Sequence, residues 1–90
     1  MSRICVQVEV TGKVQGVSFR QATVRQATRL SVDGWVRNQG DGSVSALLCG
    51  ESEAVEAMVS WLRQGPDSAR VEGVTVSACA WQDIAGFVQL

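Results

Sequence analysis

Ile4-Cys5-Val6-Gln7-Val8-Glu9-Val10-Thr11-Gly12-Lys13-Val14-Gln15-Gly16-Val17-Ser18-Phe19-Arg20 contains a change of period. Up to Val10 the residues alternate: Ile4, Val6, Val8 and Val10 fall on one face, and Cys5, Gln7 and Glu9 on the other. That is a strand with one buried face. Beyond the loop the apolar stripe runs Phe19, Ala22, Thr23, Gln26, Ala27, Leu30, with Arg25 and Arg29 turned outward, which is helix spacing. Between the two lies a loop bracketed by Gly12 and Gly16. A loop that leaves a strand end and opens a helix can aim several backbone N–H groups at one point, beside the positive end of the helix dipole. It suits an anion, most commonly phosphate. Lys13 flanks this loop and Arg20 stands where the helix begins. It is not a Walker A loop, because Gly16 is followed by Val17-Ser18 rather than Lys-Ser/Thr.

Downstream, Ser31-Val32-Asp33-Gly34 ends the first helix and Trp35–Gln39 reads as a second strand. Gly40-Asp41-Gly42 is a tight hairpin signal, Ser43–Cys49 a third strand, and Gly50 its stop. Ser52 is expected to cap a second helix, with Glu51 and Glu53 favouring its dipole. Ala54, Val55, Met58, Trp61 and Leu62 form the apolar stripe of that helix, and Gly65-Pro66-Asp67 breaks it. Val71 to Trp81 alternates again, Gln82–Ala85 is a turn region, and Gly86–Leu90 reads as a short closing strand.

The order is β-α-β-β-α-β with a terminal strand added. It predicts an α+β fold, the ferredoxin-like split β-α-β sandwich, with an antiparallel sheet of order 4-1-3-2 and both helices on one face. Residues 1–90 form a single domain in this reading, with no linker or low-complexity segment. The topology makes strands one and two parallel, with strand three between them. The loop of residues 12–20 and Asn38 therefore share one rim of the sheet. The same topology sets Cys5 and Cys49 across from each other on the face away from the helices. A disulfide is geometrically possible there, while a reducing compartment would keep two thiols.

Composition narrows the function further. Ninety residues, 46% hydrophobic and 19% charged, describe a small folded domain with a thin stability margin. A formal net charge of −1, with acids and bases interspersed, shows no basic surplus for nucleic acid. No apolar run is long enough to span a bilayer, and strand pattern follows Met1-Ser2-Arg3 directly, so a cytoplasmic protein without a signal peptide is expected. There are three cysteines and no histidine. That set lacks the ligands of a structural zinc site and any histidine-dependent triad. No metal and no cofactor are expected.

Two motifs closely resemble the signature of the acylphosphatase family. Gly12-x-Val14-Gln15-Gly16-Val17-x-Phe19-Arg20 is followed, about one helix later, by Gly34-Trp35-x-x-Asn38-x-x-x-Gly42-x-Val44. Ser68-Ala69-Arg70-Val71 and Gly86-Phe87 are similar to bacterial members, so the resemblance spans essentially the whole chain. It implies hydrolysis of the carboxyl–phosphate bond of acyl phosphates to a carboxylate and inorganic phosphate. Position alone leaves Arg20 open between a phosphate ligand and a surface arginine paired with an acid. The resemblance implies the former, with the amides of Gln15, Gly16, Val17, Ser18 and Phe19 completing the cradle. By residue type alone Asn38 reads as a strand-end or turn asparagine, the more common case; the resemblance implies that it orients the attacking water. Lys13 either attracts the dianion or is simply solvated. Trp61 and Trp81 read as packing residues, and Trp35, which matches the family's aromatic position, could be packing alone.

Such a site has no general acid or base, and this substrate class needs none. The leaving group is a carboxylate, stable without protonation at neutral pH. In-line placement of water and stabilisation of the equatorial oxygens carry the reaction. The expected partner is a small acyl phosphate, with inorganic phosphate or sulfate at the same place. No nucleic acid or membrane partner is expected, and the chain is expected to be a monomer. One rival is a non-catalytic anion sensor, which turnover alone distinguishes. The other is an RNA-binding module of the same strand order. That module stacks bases on aromatics of strands one and three, and here both strands lack them.

Overall fold

The computed structural model describes residues 2–90, and Met1 lies outside them. Strand β1 (Arg3–Lys13) leads through the loop into helix α1 (Phe19–Arg29). Strands β2 (Asp33–Asn38) and β3 (Val44–Glu51) form the hairpin. Helix α2 (Ser52–Gln64), strand β4 (Arg70–Cys79) and strand β5 (Phe87–Gln89) follow. The alternation of β1 has its expected consequence: Val8 and Val10 are fully buried, whereas Gln7 and Glu9 face out. Helix α1 buries Phe19, Thr23 and Ala27, and α2 buries Val55, Met58 and Leu62. These residues meet Val8, Val10, Val36, Val44, Ala46 and Leu48 in one core, so both helices cover the same sheet face. The hydroxyl of Thr23 donates to the Phe19 carbonyl at 2.8 Å, which lets a polar side chain sit in that core.

The sheet runs β4-β1-β3-β2-β5. The predicted order 4-1-3-2 is present and antiparallel throughout. The closing strand extends it: β5 lies parallel to β2, with Gly34 opposite Phe87 and Val36 opposite Gln89, making the sheet mixed. The Gly34 N–H donates to the Gly86 carbonyl at 2.9 Å, and the Gly86 N–H to Asp33 Oδ1 at 3.0 Å, so β5 is fastened where it starts.

Several local expectations change: β3 runs through Gly50 to Glu51 rather than stopping at Gly50, and β2 already begins at Asp33. Ser52 is the first residue of α2 rather than its cap; Glu51 holds the cap position and no side chain caps the helix. The reason is that β3 runs into α2 without a loop. The Ser52 N–H is satisfied instead by the Ser2 carbonyl oxygen, at 2.8 Å. The sheet face away from the helices carries a small cluster of its own. Cys5, Leu47 and Cys49 are buried there, with Trp35, Cys79 and Ile84 packed on them. The chain between β4 and β5 returns over this face, and the Gln82 N–H points at Cys5 Sγ at 3.4 Å. Cys5 stands opposite Cys49 on one side and Cys79 on the other. Cys5 and Cys49 are joined in a disulfide with Cα atoms 4.1 Å apart, and Cys79 is free. Trp61 packs in the core against Phe19, ring centres 6.1 Å apart, whereas Trp81 stays 46% exposed under the Arg3 guanidinium.

Candidate active site

The anion loop leaves β1 beyond a register shift at Thr11/Gly12, where β1 still pairs with β4. Val14 is buried and pins the loop to the core. Gly16 and Ser18 then both adopt left-handed backbone, φ 73° and 60°. Reversals of this kind curl consecutive N–H groups around one concavity. Ser18 also precedes α1 as its cap residue, and its carbonyl receives the Ala22 N–H at 3.1 Å. The first N–H groups of α1 have no partner within the helix. The first turn of α1 carries no acidic residue, so no carboxylate of its own competes for them. From the far side the Ser68 hydroxyl donates to the Val17 carbonyl at 2.8 Å, which steadies the middle of the loop.

A cleft of about 260 Å³ opens at this rim. Gly16, Ser18, Phe19 and Arg20 line it from the loop and helix, and Asn38 lines it from the end of β2. Five predicted site residues thus converge, though Asn38 is separated from the loop by all of α1. The other two do not wall the cleft with their side chains. Val17 packs toward the core. Gln15 turns to the β2–β3 hairpin, where its Nε2 donates to the Gln39 and Ser43 carbonyls, each at 2.8 Å. Their backbone amides are what the cradle reading uses. The Phe19 ring is buried, so it too can offer only its amide. Lys13 is exposed at the end of β1, paired across to Arg70, and does not line the cleft. Trp35 lies half-buried on the other sheet face with Arg37 over its ring at 5.0 Å, a packing role.

Arg20 is half-buried, and its Nη1 donates to the main-chain oxygen of Leu90 at 2.7 Å. The Leu90 N–H in turn donates to the Val36 carbonyl at 2.9 Å, so β2 holds the anchor of the arginine. Gln21 and Gln89 also line the cleft, and sequence reasoning missed both. Gln21 carried a signal, since it sits in the first turn of the helix beside Arg20. Gln89 carried none without knowing that β5 pairs with β2. Among the described residues no acidic side chain lines the cleft. Near it, the Ser43 hydroxyl and N–H both donate to Asp41 Oδ1, at 2.6 and 3.0 Å, and hold that carboxyl below its ordinary range. Among the described residues no cluster of histidine, cysteine or acidic side chains is arranged to hold a metal ion. Among the described residues no helix is long and apolar enough to cross a membrane.

The chain is a ferredoxin-like sandwich that brings a glycine-bent loop, an arginine and an asparagine to one rim. Comparison with known proteins places it more closely. The Acylphosphatase family model matches residues 6–88. An acylphosphatase of Pseudomonas paraeruginosa (strain DSM 24068 / PA7) is 54% identical over 88 residues, 98% of this chain and 97% of that one. Among solved structures, an acylphosphatase from Coxiella burnetii superposes with a TM-score of 0.94 at 35% identity, covering 98% of this chain and 93% of that one. The Bacillus subtilis acylphosphatase gives 0.93 at 27% identity, covering 97% and 98%. The chain belongs to the acylphosphatase family, the hydrolases that split acyl phosphates into a carboxylate and inorganic phosphate.

Proposed function

We propose that this cleft performs the hydrolysis with residues of one chain, as a monomer, without metal or cofactor. The phosphoryl group sits in the loop, held by the amides of Gln15 to Phe19 and by the Arg20 guanidinium. Arg20 offers a planar fork that matches two phosphoryl oxygens, and the dipole of α1 adds to its attraction. Asn38 holds a water in line with the bond to the acyl oxygen. Its amide can accept one water proton and donate to the water oxygen, which orients without deprotonating. As the water attacks phosphorus, charge on the equatorial oxygens grows toward the loop amides and Arg20. The acyl carboxylate leaves unprotonated. Inorganic phosphate, the product, occupies the same cradle and inhibits. The observation that carries this reading is the convergence of the loop, Arg20 and Asn38 on one cleft. Gln21 and Gln89 complete the walls, which offer little apolar surface. The acyl group is therefore gripped weakly, which supports broad acyl specificity and poor use of phosphate monoesters.

The test is phosphate release from a simple acyl phosphate, with an aryl phosphate monoester as control, for the wild type and Asn38→Ala. The wild type is expected to turn over the acyl phosphate far faster than the monoester. Asn38→Ala is expected to lose most turnover while phosphate inhibition stays within about threefold, the pattern of a group used on the way to the transition state. If Asn38→Ala keeps full turnover, Asn38 does not hold the water.

A further inference from the structure

Gln15 sends its side chain out of the anion loop and into the β2–β3 hairpin. Both hydrogens of its amide nitrogen are used there, donated to the Gln39 and Ser43 carbonyls at 2.8 Å each. These two acceptors belong to the hairpin's own ladder. The Gln39 N–H donates to the Ser43 carbonyl at 2.8 Å, and the Gly42 N–H to the Gln39 carbonyl at 3.2 Å. Gln39 follows Asn38 directly, and Ser43 precedes Val44, the cross-strand partner of Asn38. One side chain of the loop thus grips both arms of the hairpin, one step beyond the residue that stands at the cleft.

We propose that Gln15 is a positioning residue: its forked amide sets the distance between the phosphate loop and Asn38, and so the place of the attacking water. This rests on the reading of Asn38 as the water holder. The chemistry of the fork matters. A primary amide nitrogen has two donors, which satisfy two carbonyl oxygens at once. A methionine of similar length has none, and an asparagine keeps both but is one methylene short. Binding of the phosphoryl group does not use this side chain, because it faces the hairpin and not the cleft. Orientation of a nucleophile is sensitive to displacement, and a misplacement of about 1 Å costs roughly 10²-fold in rate.

The experiment compares wild type, Gln15→Met, Gln15→Asn, Asn38→Ala and the double variant Gln15→Met/Asn38→Ala, each first shown to be folded by circular dichroism. Turnover, inhibition by inorganic phosphate and amide hydrogen exchange of residues 39–44 are measured. Both Gln15 variants are expected to lose about tenfold to a hundredfold in kcat, with phosphate inhibition within about threefold of wild type. Exchange in the hairpin should quicken. In the Asn38→Ala background, Gln15→Met should change kcat by less than about threefold, because the group it misplaces is gone. Loss of phosphate affinity in step with kcat would overturn the proposal, since Gln15 would then serve the cradle. So would full multiplication of the two losses in the double variant, or unchanged exchange of residues 39–44. Full turnover by Asn38→Ala alone would instead overturn the water-holding role beneath it, and is recognised without any change at Gln15.

Discussion

Arg20 and Leu90 are joined: Arg20 Nη1 donates to the main-chain oxygen of Leu90 at 2.7 Å across 70 positions of sequence. One N–H of the guanidinium is committed to backbone, and the plane of the fork is fixed before substrate arrives. Arg20→Ala is therefore expected to weaken phosphate inhibition and to slow turnover by on the order of 10²-fold or more, since the same donors serve ground state and transition state. Arg20→Lys should recover a small part of this, because an ammonium is a point charge and cannot keep the Leu90 bond and a bidentate grip together. Steady-state kinetics with phosphate as inhibitor reads both variants. Near-wild-type turnover of Arg20→Ala would remove Arg20 from the site.

The pH behaviour separates activity from stability. The chain has no histidine, and the residues lining the cleft include no acid. A flat kcat between about pH 5 and 8 is expected, shaped by the substrate's own phosphate. Stability should change lower down. The Ser43 hydroxyl, and then its N–H, hold Asp41 below its ordinary value of 3.8. A carboxyl depressed in the folded state stabilises above its unfolded pKa, and that contribution disappears as pH falls through the folded value. Asp41→Ala should lower the urea midpoint at neutral pH, and the gap to wild type should close as pH drops below 3.8.

Two glycines of the signature should fail for different reasons. Gly34 has φ 144°, and a Cβ there would collide with the Leu47 carbonyl oxygen on the neighbouring strand. Gly34→Ala must part β2 from β3, and a loss of about 3 kcal/mol or more is expected. Gly16 has φ 73° but open space around it. Gly16→Ala should cost about 1–2 kcal/mol for left-handed backbone and place a methyl at the cleft, weakening phosphate binding while the fold survives. Urea denaturation with phosphate inhibition distinguishes the two.

The cysteine register makes a covalent prediction. Cys5 faces Cys49 and Cys79 on its two flanks. In Cys49→Ser, mild oxidation should join Cys5 to Cys79 within one chain, linking β1 to β4. Mass spectrometry of a digest made without reduction checks it. Two thiols still open to alkylation, or dimers alone, would show that Cys5 cannot turn to its other neighbour.

The parts of the fold written in local pattern were legible before the coordinates. The alternation of Ile4–Val10 and the stripe from Phe19 to Leu30 name their faces directly, and the handedness of crossovers then orders four strands. Arg20, Asn38 and the loop followed from that order. What was hidden depends on partners that periodicity does not name. Phe87–Gln89 is too short to declare its direction, and the free edge of β2 supplies it. Gln89 at the cleft and the Leu90 anchor follow from that pairing. Ser52 looked like a cap because caps are local, but the Ser2 carbonyl took its N–H. Gln15 looked like a loop residue, and only the nearness of the hairpin reveals what its amide does.

The interior place of β1 also bears on how the protein is made. A ribosome releases β1 first, yet both of its neighbours come later: Val10 must wait for Val44, and Thr11 for Gly73, 62 positions on. Until then Val8 and Val10 have no sheet to join. The nascent chain thus emerges with an interior strand unaccompanied, and the sheet cannot be completed while β4 is still in the exit tunnel. Completion of the sheet therefore waits for β4, and folding slow for this length is expected, because the decisive contacts are also the most distant.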